Sequence, residues 1–233
     1  MSLGIKGFIP TSLIDWPGKI TTIIFLPGCS FRCHYCYNPE FITSPHLIED
    51  IKDEEIFGYL EKKKKWLDGV TILGGEPTIH NNFLKIVQAI KNVGLRTALH
   101  TNGTNPEILE NIIKDELIDY FAMDIKSSIS SYEKVVDVKV DSSVIKKSVE
   151  IIKNSKVDYE FRTTVVPGLV DLNEIIEIGK WLKGSKKYFI QQFKPGKTLD
   201  PQYEKVKPYH IPQLLEFKKA AEPFFETVEI RGI

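Results

Sequence analysis

Three cysteines, Cys29, Cys33 and Cys36, fall within eight consecutive positions in the order CxxxCxxC, and the chain has no others. An odd number so closely spaced suits a shared metal better than disulfide pairing. Thiolates bind zinc or iron, and three readings compete. A structural zinc site wants four ligands, and His34 is the available fourth. It is adjacent to Cys33, however, and neighbouring side chains diverge. A redox Cys-x-x-Cys pair fits Cys33 and Cys36 but leaves Cys29 unexplained. A four-iron cluster held by three cysteines accounts for all of them and leaves one iron open to a small ligand. Further along stand Gly74, Gly75, Glu76 and Pro77. Paired glycines after an apolar run make either a tight turn or a place where backbone approaches a ligand closely.

These residues need a scaffold, and the apolar pattern supplies one. Short β-rich runs at 21–26, 70–73, 96–100, 118–124, 158–165, 187–193 and 227–230 alternate with helical periodicity at 53–67, 82–93, 106–114, 142–154, 172–182 and 211–224. Strand then helix, repeated, means parallel strands joined by right-handed crossovers, with ligands at the C-terminal strand ends. The chemistry-bearing residues fall there. Six units are too few for a full barrel of eight, so an α/β fold is expected, a partial (β/α)6 TIM-like barrel with an open side. One domain over 1–233 is the economical organisation, with 1–20 as an extended segment covering a barrel end.

The run at 158–165 divides by alternation into Tyr159, Phe161 and Thr163 on one face and Glu160, Arg162 and Thr164 on the other. One face packs on helices. The other puts charge in the barrel interior, where it persists only if paired or bound to something. Asp124, Gln191 and Gln192 extend that polar lining, which points to a ligand.

Charge arithmetic is balanced, 31 basic against 31 acidic residues, so no bulk field gathers phosphate backbones or anionic lipid. Nucleic acid and membrane are therefore poor candidates for partners. No apolar run approaches the roughly 20 residues of a membrane helix, and the first residues lack the features of a secretory signal. A cytoplasmic protein is expected. Lysine outnumbers arginine 27 to 4, which makes each arginine worth asking about.

CxxxCxxC with Tyr35 before the last cysteine, followed by GGEP after the second strand, resembles the radical S-adenosylmethionine (SAM) superfamily. Within it the opening segment GFIPTSLIDWPGKITTIIFLPGCSFRCHYCYNPE is similar to the activating enzymes of glycyl radical enzymes, those of anaerobic ribonucleoside-triphosphate reductase and pyruvate formate-lyase. The likeness continues through TNG at 101–103, MDIK at 123–126 and FRTTVVPG at 161–168. The resemblance implies an iron-sulfur oxidoreductase. Cys29, Cys33 and Cys36 would hold a [4Fe-4S] cluster, and SAM would chelate the open iron. One-electron cleavage would then give a 5′-deoxyadenosyl radical that takes hydrogen from a glycine of a partner enzyme, here anaerobic ribonucleotide reductase. No side chain is needed as acid, base or nucleophile.

The resemblance also implies SAM contacts at Tyr35, Tyr37, Gly74, Gly75, Glu76, Thr101, Asn102, Asp124, Lys126 and Arg162. Asp124 would face ribose or a cation, Lys126 or Arg162 the carboxylate, and Glu76 would steady the glycine turn or aid its contact; Glu160, beside Arg162 on one strand face, reads from alternation alone as its internal ion-pair partner. A flavodoxin or ferredoxin would donate the electron. Relatives of the pyruvate formate-lyase type have an acidic residue before TNG that helps form a monovalent-cation site. This chain has His100 there, which leaves that site open and His100 without a catalytic role. Two other readings stand beside the activase: a radical SAM enzyme acting on a small molecule or nucleobase precursor, deazaguanine synthase-like, and a noncatalytic zinc or electron-transfer protein.

Overall fold

Each of the seven β-rich runs forms a strand, and an eighth precedes them in the computed structural model, which describes residues 2–233. Strand β1 (Gly7–Ser12) pairs antiparallel with β2 (Thr21–Leu26). From β2 onward every pairing is parallel, through β3 (Gly69–Gly74), β4 (Arg96–Thr101), β5 (Tyr120–Asp124), β6 (Asp158–Val165), β7 (Ser185–Gln192) and β8 (Phe225–Arg231). The sheet order is simply β1 to β8. Two short helices, α1 (Pro39–Thr43) and α5 (Tyr132–Val136), decorate loops at the C-terminal strand ends. The crossovers are α2 (Asp53–Lys63), α3 (Phe83–Val93), α4 (Pro106–Lys114), α6 (Ser142–Asn154), α7 (Leu172–Leu182) and α8 (Ile211–Ala221).

The sheet is rolled but not closed. Leu13, Ile14, Asp15 and Pro17, just after β1, line the same cavity as Glu229, Arg231 and Gly232 at the end of β8. The two edge strands therefore face each other across a gap.

Alternation along the strands sorts side chains into two layers. The outer one packs β-strand residues such as Leu99, Phe121, Phe161 and Ile190 beneath the helices and forms the main core. The inner face holds a small separate cluster of Trp16, Ala98, Tyr120 and Ala122. Trp16, from the loop after β1, stacks on Tyr120 with ring centroids 5.5 Å apart. The two alanines leave room for that indole, which plugs the N-terminal end of the lumen. Beyond the plug the inner positions turn polar: His100 on β4, Asp124 on β5, Arg162 and Thr164 on β6.

The interior charges pair differently from the expectation at Glu160. Its fully buried carboxylate accepts both Arg231 guanidinium N–H groups, at 2.6 and 2.7 Å, and the Tyr120 hydroxyl at 2.6 Å. Arg162 instead pairs with Asp124. Parallel register explains the exchange, because Asp124 lies directly opposite Arg162 on the neighbouring strand. Glu160 and Arg162 are only successive residues of one face.

Candidate functional site

The cysteine loop leaves β2 and is anchored at every turn by backbone. Gly28 N–H donates to Phe41 O at 2.8 Å, Arg32 N–H to Val136 O at 2.8 Å, and Cys36 N–H to Cys33 O at 3.0 Å. The Arg32 side chain reaches back to the carbonyls of Cys29 and Phe31, each at 2.8 Å. A strap from the segment after β7 lies across the loop: Leu199 N–H donates to Cys36 O at 3.1 Å and Asp200 N–H to His34 O at 2.9 Å. His34 faces the Asp200 carboxylate at 3.4 Å and stacks on Tyr203 with centroids 5.5 Å apart. That imidazole belongs to the strap contact and does not turn to the sulfurs.

The two glycines at the end of β3 are required by close approach. A Cβ on Gly74 would lie 2.3 Å from Leu26 O, and one on Gly75 only 1.8 Å from Gly28 O. Gly74 also has φ +135°, a conformation that L side chains rarely adopt. The approach lets Gly75 N–H donate to Leu26 O at 2.9 Å and Glu76 N–H to Gly28 O at 2.7 Å. Those two amides are committed to the cysteine loop, so what this turn offers a ligand is carbonyl oxygen.

Nearly all the residues singled out in the sequence meet around one cavity of about 240 Å³. Cys29, Cys33, Cys36, Tyr35 and Tyr37 line it from the loop, Gly74 and Gly75 from β3. Thr101, Asn102, Asp124, Lys126 and Arg162 line it from the next three strand ends. Glu76 is the exception. It is fully buried behind the wall, where Oε1 accepts from Thr78 N, Thr78 Oγ1 and Thr101 Oγ1, and Oε2 accepts from Asn102 N at 2.6 Å. Burial pushes this carboxyl upward while the four donors pull it back. Its geometry braces the GGEP turn against the TNG loop.

Asp124, Lys126 and Arg162 form a triad with one net positive charge. Arg162 Nε lies 2.5 Å from Asp124 Oδ1 and Lys126 Nζ 3.1 Å from Oδ2. Burial alone would raise the Asp124 carboxyl, but Arg162 and then Lys126 outweigh it and hold it well below the usual range. Desolvation likewise works against Lys126, yet Asp124 keeps it firmly protonated. The excess cation faces the three thiols. Burial pushes Cys33 up to about 12 and raises Cys29 and Cys36, while Lys126 opposes the shift at all three. A bound cluster would reverse that balance, since coordination to a cation displaces the thiol protons to solvent.

Two lining residues were less legible in sequence. His100 is buried, and burial followed by the charge of Arg162 drives it down to about 3, so the imidazole is neutral. Its Nε2 lies 2.8 Å from Asp15 O, and because a carbonyl only accepts, Nε2 carries the proton. It brings no negative charge for a cation. Gln191 lines the wall opposite Thr164 and was visible only as part of a polar strand end.

Comparison with known proteins agrees with this arrangement. The model of the radical SAM superfamily matches residues 23–182. A putative glycyl-radical enzyme activating enzyme of Methanocaldococcus jannaschii is 35% identical over 98% of this chain and 96% of its own length. The pyruvate formate-lyase-activating enzyme of Streptococcus mutans is 27% identical over 91% of this chain and 79% of its own. Streptococcus suis SuiB bound to S-adenosylmethionine shares the fold, with a TM-score of 0.66 at 15% identity, covering 90% of this chain. The chain spans about half of SuiB, 52% of its length.

Enzymes of this superfamily use a [4Fe-4S] cluster and SAM, and the cavity fits both. No three His, Cys, Asp or Glu side chains draw close enough to share a single ion among the described residues. A cubane asks for less, since each thiolate takes a different iron. Tyr35 lines the cavity, and its hydroxyl is buried with no hydrogen-bond partner, an unmet polar atom beside the site. Carbonyls at the glycine turn suit an ammonium, and the net-positive triad suits a carboxylate. On its cysteine loop, its glycine turn and the match over most of its length, this chain belongs to the radical SAM superfamily.

Proposed function

We propose that the protein activates a glycyl radical enzyme, with anaerobic ribonucleotide reductase as the partner. The observation that carries this reading is a second cavity of about 770 Å³ between the unpaired edges of the sheet. It shares Tyr37, Arg162 and Gln191 with the first, so a substrate lying in it reaches the SAM site from the open side. Its rim carries Leu13 and Ile14, 67% and 80% exposed, an apolar edge that a protein substrate would cover. A small metabolite needs no such rim. The names of the relatives support activation of a glycyl radical enzyme and leave the choice of reductase to the test below.

Cys29, Cys33 and Cys36 would hold the cluster, and Tyr35, Tyr37, Thr101, the glycine carbonyls and the triad would hold SAM. When bound, these groups supply one-electron cleavage of SAM to methionine and a 5′-deoxyadenosyl radical, which takes a hydrogen atom from a glycine Cα and leaves as 5′-deoxyadenosine. The work of the protein is orientation and exclusion of water. The triad fixes one end of SAM, the strap closes the cysteine loop, and the Trp16 plug seals the lumen from below. On this reading residues 1–233 act as one domain with 1–20 closing a barrel end. A flavodoxin or ferredoxin supplies the electron, and the setting is an anaerobic cytoplasm.

The test is anaerobic reconstitution with iron and sulfide, then addition of reductant, SAM and anaerobic ribonucleotide reductase. A glycyl EPR doublet on the reductase, with 5′-deoxyadenosine formed in step, is the expected result. Formation of 5′-deoxyadenosine with no glycyl radical on a co-encoded reductase or lyase overturns the activase reading and leaves membership of the superfamily intact.

A further inference from the structure

The side chain of Asn102 is held so that its N–H groups have one direction to point. Its Oδ1 accepts from Thr104 N at 3.0 Å and from Thr104 Oγ1 at 2.8 Å. A backbone N–H only donates, so the oxygen must face Thr104 and the amide cannot be flipped. The opposite end, Nδ2, then lies 3.1 Å from Ser30 Oγ and 3.7 Å from Cys29 Sγ. The main chain is pinned as well, with Asn102 N–H on the buried carboxylate of Glu76. Among the described residues no other side chain donates to a cysteine sulfur. The family resemblance implies a SAM contact for Asn102; the geometry directs its donors to the cysteine loop instead.

We propose that Asn102 is a positioning residue that sets the reduction potential of the cluster, by donating an N–H to the sulfur of Cys29. An N–H on a ligating thiolate draws charge from the sulfur. That stabilises the reduced, more negative cluster over the oxidised one and raises the potential. Thr104 and Glu76 act through Asn102 by fixing its orientation. Ser30 competes for the same amide and also meets Thr104 Oγ1 at 2.9 Å. The inference rests on the cluster common to the superfamily and is independent of which substrate the radical attacks.

The experiment uses the reconstituted holoprotein without SAM or partner, so its outcome is separate from that of the activase assay. Redox titration followed by EPR gives the midpoint potential, and resonance Raman spectra in H2O and D2O report hydrogen bonding to the cysteine sulfurs. Asn102→Leu should retain its iron, titrate at a lower potential and lose part of the D2O shift of the Fe–S(Cys) bands. Thr104→Val, which keeps the backbone donor and removes the hydroxyl, should fall between this variant and the wild type. Ser30→Ala, which removes the competitor, should leave the potential unchanged or higher. Should Asn102→Leu fail to hold iron, a fall in Thr104→Val without a fall in Ser30→Ala supports the proposal, and a wild-type potential in Thr104→Val overturns it. A wild-type potential in a fully loaded Asn102→Leu protein overturns the proposal, as does an equal fall in Ser30→Ala. Weakened SAM binding at unchanged potential would make Asn102 a SAM contact instead and would equally overturn it.

Discussion

Replacing Asp124 by Asn keeps the shape of the triad and removes its only negative charge. Arg162 and Lys126 would then stand side by side, their side chains 13% and 17% exposed, with no counter-charge between them. Breaking a buried pair from one side costs about 3–5 kcal/mol, because the remaining charge is left desolvated. For a chain of this size each kcal/mol is worth roughly 2–4 °C, so the melting point should fall by roughly 6–20 °C. The pH dependence carries a sign. Asp124 is held below the ordinary carboxylate range when folded, so its contribution is complete above the unfolded value, about 3.9. It is lost only as pH falls through the depressed folded value. The wild type and Asp124→Asn should therefore differ by a constant amount from about pH 8 to 5 and converge below about pH 4. Thermal and urea unfolding of the metal-free chain under reductant measure both quantities. A difference under about 1 kcal/mol at pH 7 would show the triad to be solvent-screened and refute the reasoning.

Gly75→Ala places a methyl group into Gly28 O and should displace the cysteine loop, at a cost of ~3 kcal/mol or more; iron bound after reconstitution should drop sharply. Tyr35→Phe removes a hydroxyl that is unpaired without ligand, so the metal-free chain should melt no lower than wild type. SAM affinity of the loaded protein, by calorimetry, should weaken about five- to tenfold if that hydroxyl meets the ligand. Arg231→Met strands the Glu160 carboxylate in the lumen and should cost about 3–5 kcal/mol at neutral pH; chemical denaturation checks it.

How far the sequence revealed the molecule depended on whether the deciding interaction was local. Alternation and apolar periodicity placed 21–26, 158–165, 106–114, 142–154 and 172–182 where the strands and helices lie. Strand β1 is less clear because three of its six residues are exposed and Phe8 and Ile9 alone are too short an apolar run to mark an edge strand. Helix α8 was read past its end, although Pro223 already forbids continuation beyond Ala221. Cys29, Cys33 and Cys36 announced themselves because their constraint is short in sequence; Gly75 stood out only as one of a glycine pair, and the approach to Gly28 that requires it is long-range. A turn-steadying role for Glu76 was legible from its place in GGEP, but its bonding partners Thr101 and Asn102 were not, since they lie a whole βα unit away. Nor was the pairing of Glu160, whose counter-ion Arg231 arrives 71 residues later.

The strap across the cysteine loop also sets an order of events during synthesis. The thiols leave the ribosome early, whereas Leu199 and Asp200, whose amides close over Cys36 and His34, emerge more than 160 residues later. At ~5–20 residues per second that interval is roughly 10–30 s. Throughout it the nascent loop lacks its cover, so the segment after β7 works as a latch that can shut over the thiols only late in synthesis.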